Sequence, residues 1–154
     1  MKAVVQRAKN ASVKVDGEIT GSIGCGLLVY LGVAREDAEK DAAWMAEKVA
    51  NLRIFEDDQG KMNLSLLDII RERKMDGSAG VLAVSQFTLL ADAAKGRRPY
   101  YGEAAEPEKA KALYEYFMAK VKETGLVCEA GVFQAHMDVT YTNDGPVTII
   151  LESP

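Results

Sequence analysis

Two short stretches of this 154-residue chain hold residues whose types and order could do chemistry. The first is Ser85-Gln86-Phe87-Thr88-Leu89, set directly after the apolar run Val81-Leu82-Ala83-Val84. Polar groups at the end of a core strand are held rigidly and can face a pocket. Ser85 and Thr88 offer hydroxyls, Gln86 offers an amide, and the strand end offers backbone N–H groups that could hold an oxyanion. A hydroxyl is a poor nucleophile without a base to activate it. No His, Lys or carboxylate follows this stretch before Asp92. Either a partner comes from elsewhere in the fold, or water attacks and the protein supplies geometry and oxyanion donors. The same residues also suit an ordinary strand end.

The second stretch is Asn143-Asp144-Gly145-Pro146-Val147-Thr148. Asp-Gly alone signals a hairpin turn. Pro146 changes that, because it fixes its own φ and removes a donor where the return strand should begin. In the trans state usual for X-Pro bonds this is a plain turn, with the proline closing a strand edge. A cis bond would instead bring the two carbonyl oxygens to nearly parallel directions, able to protrude together.

Other chemistry is removed by subtraction. There is one histidine, His136, and the two cysteines, Cys25 and Cys128, lie far apart. No HExxH, paired-His or Cys/His cluster can be built from these, which argues against a zinc hydrolase; no bound metal or cofactor is expected. A Ser-His-Asp triad would have to use His136. That residue alternates away from the Met137, Val139, Tyr141 face beside a turn, which reads as a surface position. The cysteines read as small buried hydrophobes. Their number excludes a disulfide scaffold and suggests a reducing compartment, hence a cytoplasmic protein. A net charge of −4 argues against a surface coated uniformly for nucleic acid. Local patches remain: Lys95, Arg97 and Arg98 share a Gly-containing loop, and Arg7, Lys9 and Lys14 sit in the first hairpin. These could contact RNA phosphates or stand solvated.

The elements that must position these residues fit one domain over 1–154, with 48% hydrophobic and 27% charged residues. No apolar run approaches the length of a membrane span, and the start of the chain lacks a signal peptide's apolar stretch. Strands are expected at Ala3–Ala8, Ala11–Val15, Glu18–Ile23 after an Asp16-Gly17 turn, Leu27–Leu31, Arg53–Phe55 and Val81–Val84. Two more are expected around Met137–Tyr141 and Val147–Leu151, joined by the Thr142–Pro146 turn. Apolar spacing predicts a helix over Asp37–Leu52 with Asp37 as its N-cap. A second helix starts at Pro107, buries Ala110, Leu113, Tyr114, Phe117 and Val121, and stops at Gly125. Arg71–Gly80 reads as a loop, and Met62–Asp68 fits no single element. The fold class is α+β: a largely antiparallel, barrel-like sheet with two long helices packed on it.

Taken together, these residues resemble the D-aminoacyl-tRNA deacylases. The resemblance runs through Gln6-Arg7, Ala11-Ser12-Val13, Gly26-Leu27-Leu28-Val29, Arg53-Ile54-Phe55 and Gly60-Lys61-Met62-Asn63. It is most specific at Ser85–Leu89 and Asn143–Thr148, with Lys95-Gly96 and Arg98-Pro99 between them. It implies a homodimer, not bound to membrane, that hydrolyses the ester at the 3′ end of D-aminoacyl-tRNA, and also glycine mischarged on alanine tRNA. Ser85, Gln86, Phe87 and Thr88 would line a pocket at the subunit interface. A cis Gly145-Pro146 pair would reach in from the other subunit and bar L-residues. Phe133, Met137 and Arg7 match positions near that pocket. Tyr100-Tyr101 stands where Ser-Phe is common, and Arg71–Gly80 is longer and more charged than the family's usual loop. Two other readings stay open: a relative that removes small L-residues, and a non-catalytic RNA-binding module on the same scaffold.

Overall fold

Alternation along the first strand puts Ala3, Val5 and Val13 wholly out of solvent, and the rest of the sheet is built on that strand. A computed structural model describes residues 1–73 and 77–154. In it the two expected N-terminal strands are one 14-residue strand, β1 (Lys2–Val15). β3 (Gly26–Gly32) pairs antiparallel with Lys2–Ala8, and β2 (Glu18–Ile23) with Ala11–Val15. The β1–β2 turn is Asp16-Gly17, both at positive φ as a tight primed hairpin requires. Beyond β3 the pairing becomes parallel: β6 (Gly80–Ser85) lies beside β3, and β7 (Val127–Ala130) beside β6. Gly21 of β2 comes so near β7 that an added Cβ would lie 2.4 Å from the Ala130 carbonyl oxygen. The sheet therefore nearly closes into a barrel, mixed rather than uniformly antiparallel.

β8 (Asp138–Glu152) is the second departure from the expected elements. The two final strands are one 15-residue strand, antiparallel to β1 along its whole length. The segment between them does not reverse the chain. Gln6 faces Thr148 and Ala8 faces Asn143, so β8 spends five steps where β1 spends two. The surplus is a bulge with Gly145 and Pro146 at its crest, exposed. Bulges of this kind re-aim a segment without ending the strand.

Helix α1 runs Glu39–Asn51 and α3 Pro107–Glu123. Met45 and Val49 of α1 and Phe117 and Val121 of α3 are fully buried against Val5, Leu27, Val29 and Val81. The opposite sheet face carries a smaller cluster of Val13, Ile23, Leu28, Leu82 and Val84. β3 and β6 are thus covered on both sides, which is why they read as unbroken apolar runs. Asp37 is not the N-cap of α1. Its carboxylate instead accepts the Ala34 N–H at 2.5 Å and the Met1 amine at 2.6 Å. Asp41 accepts the Ala38 N–H at 2.9 Å, and that bond lowers its pKa.

The stretch Met62–Asp68 divides between β5 (Met62–Leu64), paired with β4 (Phe55–Glu56), and a short helix α2 (Leu66–Arg73). Ser65 caps α2: its hydroxyl accepts the Asp68 N–H at 3.2 Å, and the Asp68 carboxylate accepts the Ser65 N–H at 2.9 Å. This is a capping box with aspartate in the glutamate role. The expected Arg71–Gly80 loop is thereby shortened at its start. Its centre, 74–76, lies outside the described residues. Among the described residues no helix is long and apolar enough to cross a membrane.

Candidate active site

The carboxyl ends of the parallel strands β3 and β6 open into a cleft of about 650 Å³. Its walls are mainly apolar: Leu31 and Val84 from β3 and β6, Val33 just past β3, Ala110 and Tyr114 from α3, Phe133 and Met137 from the approach to β8, and Val139 from β8 itself. Ser85, Gln86 and Phe87 form the polar lip. A largely apolar pocket with a few fixed polar groups is the usual form of a small-ligand site.

The lip is held by backbone bonds. The Gln86 N–H donates to the Leu31 carbonyl at 2.8 Å, continuing the β3–β6 ladder past Ser85. The chain then tightens into a single 3₁₀ turn, Phe87–Leu90. Its first bond is from the Leu89 N–H to the Gln86 carbonyl at 3.3 Å, so the N–H groups of Phe87 and Thr88 precede the ladder and have no acceptor within it. Gly32 lets this turn sit close. A Cβ there would lie 2.5 Å from Leu90 Cδ2 and 2.9 Å from the Gln86 carbonyl oxygen. The sequence pattern marked Gly32 only as an interruption, since a close approach of two backbones leaves no local signal.

Thr88 is half-buried and does not line the cleft. Its hydroxyl accepts a hydrogen bond from the Gln86 side-chain amide. An amide cannot take a proton from it, and among the described residues no carboxylate, imidazole or amine bonds to it. The floor is tied by the Ala83 carbonyl, which accepts the Tyr114 hydroxyl at 2.9 Å and the Gly131 N–H at 3.1 Å. Burial pushes the Tyr114 phenol far above its ordinary range, so it stays protonated. Tyr114 also meets Phe133, with ring centroids 6.1 Å apart. It was legible only as one of a helical stripe. Met137 lies under Gly131, where a Cβ would come 2.4 Å from its sulfur. His136 is 97% exposed on the rim, as its alternation suggested. Cys128 is buried, and burial raises its thiol to about 11, consistent with a packing role.

The remaining sequence-selected residues gather elsewhere. Gly145 and Pro146 crown the β8 bulge, joined by a cis peptide bond, and neither lines the cleft of its own chain. Gly145 has φ +131, a conformation that side chains rarely adopt. Arg7 lies behind the crest, 6% exposed. Its Nε donates to the Asp144 carbonyl at 3.2 Å and pairs with the Asp144 carboxylate at 3.2 Å, while Nη1 donates to the Ile54 carbonyl at 2.5 Å. Asn143 Oδ1 accepts the Val147 N–H at 3.0 Å. Arg7 is therefore a brace for the crest, outside its own chain's cleft. Among the described residues no group of His, Cys, Asp and Glu is placed to hold a metal ion.

The near-closed mixed barrel and the strand-end cleft, apolar with Ser85 and Gln86 fixed at its lip, have the form of a small-ligand site. Comparison with known proteins makes the class specific. The family model described as D-Tyr-tRNA(Tyr) deacylase matches residues 4–152. The chain belongs to that family, as its two most specific stretches implied. The D-aminoacyl-tRNA deacylase of Koribacter versatilis is 56% identical over 153 residues, covering 99% of this chain and 97% of the relative. That of Kosmotoga olearia is 58% identical over 153 residues, again with 99% and 97% covered. A solved structure titled c-Myc DNA Unwinding Element Binding Protein superposes with a TM-score of 0.88 at 42% identity, covering 100% of this chain and 99% of that one.

Proposed function

We propose that the chain hydrolyses the ester joining a D-amino acid, or glycine mischarged on alanine tRNA, to the 3′ end of tRNA. We propose further that it acts as a homodimer whose second copy supplies the stereochemical gate. The hydrolase class rests on family membership. The acyl group lies in the apolar cleft with its carbonyl oxygen toward the Phe87 N–H at the lip, which stabilises the charge that develops as water adds. Collapse breaks the bond to the ribose oxygen, which takes up a proton, and frees the amino acid. Water carries the attack, assisted by the ribose 2′-hydroxyl, since among the described residues no hydroxyl lining the cleft is hydrogen-bonded to a carboxylate, imidazole or amine.

The single observation that carries the gate is the position of the Gly145-Pro146 crest. It is exposed, braced from behind by Arg7 and Asn143, and absent from its own chain's cleft. A segment so placed acts on a neighbouring copy, and the outer edge of β8, which among the described residues pairs only with β1, gives that copy a surface to meet with Ile150 71% exposed. Rigid main-chain oxygens set where an L side chain would go reject it by contact and charge. A D-residue escapes, and glycine has nothing to reject. The test is release of amino acid from D-tyrosyl-, L-tyrosyl- and glycyl-tRNA by the purified protein. The D and glycyl esters should be cleaved and the L ester spared. Cleavage of the L ester at the D rate would refute the gate. Absence of any release would favour the binding-module reading.

A further inference from the structure

Beside the cleft stands a feature that the reaction scheme does not use. Asp92 and Tyr100 exchange both backbone bonds, each at 2.8 Å, closing a small hairpin whose tip is 93–99. Asp92 Oδ1 also accepts the Ala94 N–H at 2.8 Å, and Gly96 takes φ +78 in open space. The loop is thus a formed projection, and every residue from Ala91 to Tyr100 is exposed. Its tip carries Lys95, Arg97 and Arg98. Among the described residues none of the three has an acidic partner, in contrast to Lys2, Arg7, Lys9, Lys111 and Lys120. In a chain with net charge −4, three cations left uncompensated on one loop are a concentrated positive site.

Two aromatic residues tie this site to the cleft. Tyr101, next after the hairpin, meets Phe87 of the lip edge-on with centroids 5.3 Å apart. Tyr100 is 65% exposed, and its ring covers Gly102, where a Cβ would lie 2.2 Å from Tyr100 Cζ. The glycine leaves room for the ring to lie against the backbone with its other face to solvent. Cations beside an open aromatic face are the equipment of single-stranded nucleic-acid binding: phosphates meet the cations and a base stacks on the ring.

We infer that the 92–100 hairpin docks the single-stranded 3′ arm of the tRNA, with Lys95, Arg97 and Arg98 on its phosphates and Tyr100 under a base, as the ester enters the cleft. The inference rests on the deacylase reading and adds the surface that separates a tRNA ester from a free one. Its test compares two substrates, D-tyrosyl-tRNA and 3′-O-D-tyrosyl-adenosine, which lacks the arm. A K95Q/R97Q/R98Q variant should lose about tenfold or more in kcat/KM on the tRNA ester. Its salt dependence, as log kcat/KM against log salt, should flatten by roughly 2, from about 0.7 per single-strand phosphate contact. Tyr100→Ala should lose about tenfold on the tRNA ester while keeping the wild-type salt slope. Both variants should match wild type on the adenosine ester. A charge variant with wild-type rate and slope on the tRNA ester overturns the inference. Equal losses on both substrates also overturn it, because the loop would then be shaping the cleft. A wild-type protein that cleaves neither ester removes the deacylase reading itself, a result distinct from the other two.

Discussion

Thr88 shows how a residue's chemistry depends on what touches it. As a hydroxyl at a strand end it is an obvious nucleophile. Among the described residues its hydroxyl bonds only to the Gln86 side-chain amide, which donates to it and cannot act as a base. On the reading proposed above its role is positional, holding the Gln86 amide at the lip. Thr88→Ala should therefore keep kcat/KM on D-tyrosyl-tRNA within about tenfold, the range expected when one neutral hydrogen bond is lost. A fall of a thousandfold or more would restore it as the nucleophile. Ser85, Gln86, Phe87, Phe133 and Met137 were legible in the sequence, and the structure brings all five to one cleft. Arg7 was legible as a site residue but not as a brace. Its role depends on Asp144 and Ile54, both remote in sequence, and no local pattern reports such contacts. Tyr114 was hidden for a related reason: helical periodicity assigns a buried face but cannot say which member of it borders a cavity.

The elements that alternation and turn chemistry specify locally were readable: β2, β3, β6, α3 with Pro107 at its start, and the Asp16-Gly17 turn. What failed was continuity. β1 and β8 were each read as two strands, because Lys9-Asn10 and Thr142–Pro146 carry turn residues that in fact make bulges within unbroken strands. Whether a polar interruption reverses a strand or only bends it is decided by the partner strand, which a local reading does not contain. α2 escaped notice because it is 8 residues long and depends on the Ser65–Asp68 cap. The element that most directly sets the site is the 3₁₀ turn docked on Gly32. Gly32→Ala would place a Cβ 2.9 Å from the Gln86 carbonyl oxygen, so backbone must move. The expected cost is about 1–3 kcal/mol in denaturant unfolding, the range for overpacking a close contact. Activity on D-tyrosyl-tRNA should fall further than that loss of folded protein accounts for, because the lip itself shifts. A variant with full activity and unchanged stability would mean that the turn is not held there.

At the scale of the whole molecule, the two sequence-selected stretches end up at different places on one chain. The cleft opens at the ends of β3 and β6, while the crest of β8 stands exposed and braced away from it. On the reading proposed above, a second copy would give each stretch its counterpart. Composition could not suggest such a relation, which lies between copies; only the resemblance to a family implied it. The most direct measurement is the ratio of D-tyrosyl- to L-tyrosyl-tRNA hydrolysis for the wild type and for Pro146→Ala, with folding checked by thermal unfolding. Removing the ring from the exposed crest should raise L hydrolysis at least about tenfold, equivalent to roughly 1.4 kcal/mol of lost discrimination. The D rate should stay within a few-fold. An unchanged D/L ratio in a folded Pro146→Ala protein would contradict the account, because handedness would then be read by something other than the crest.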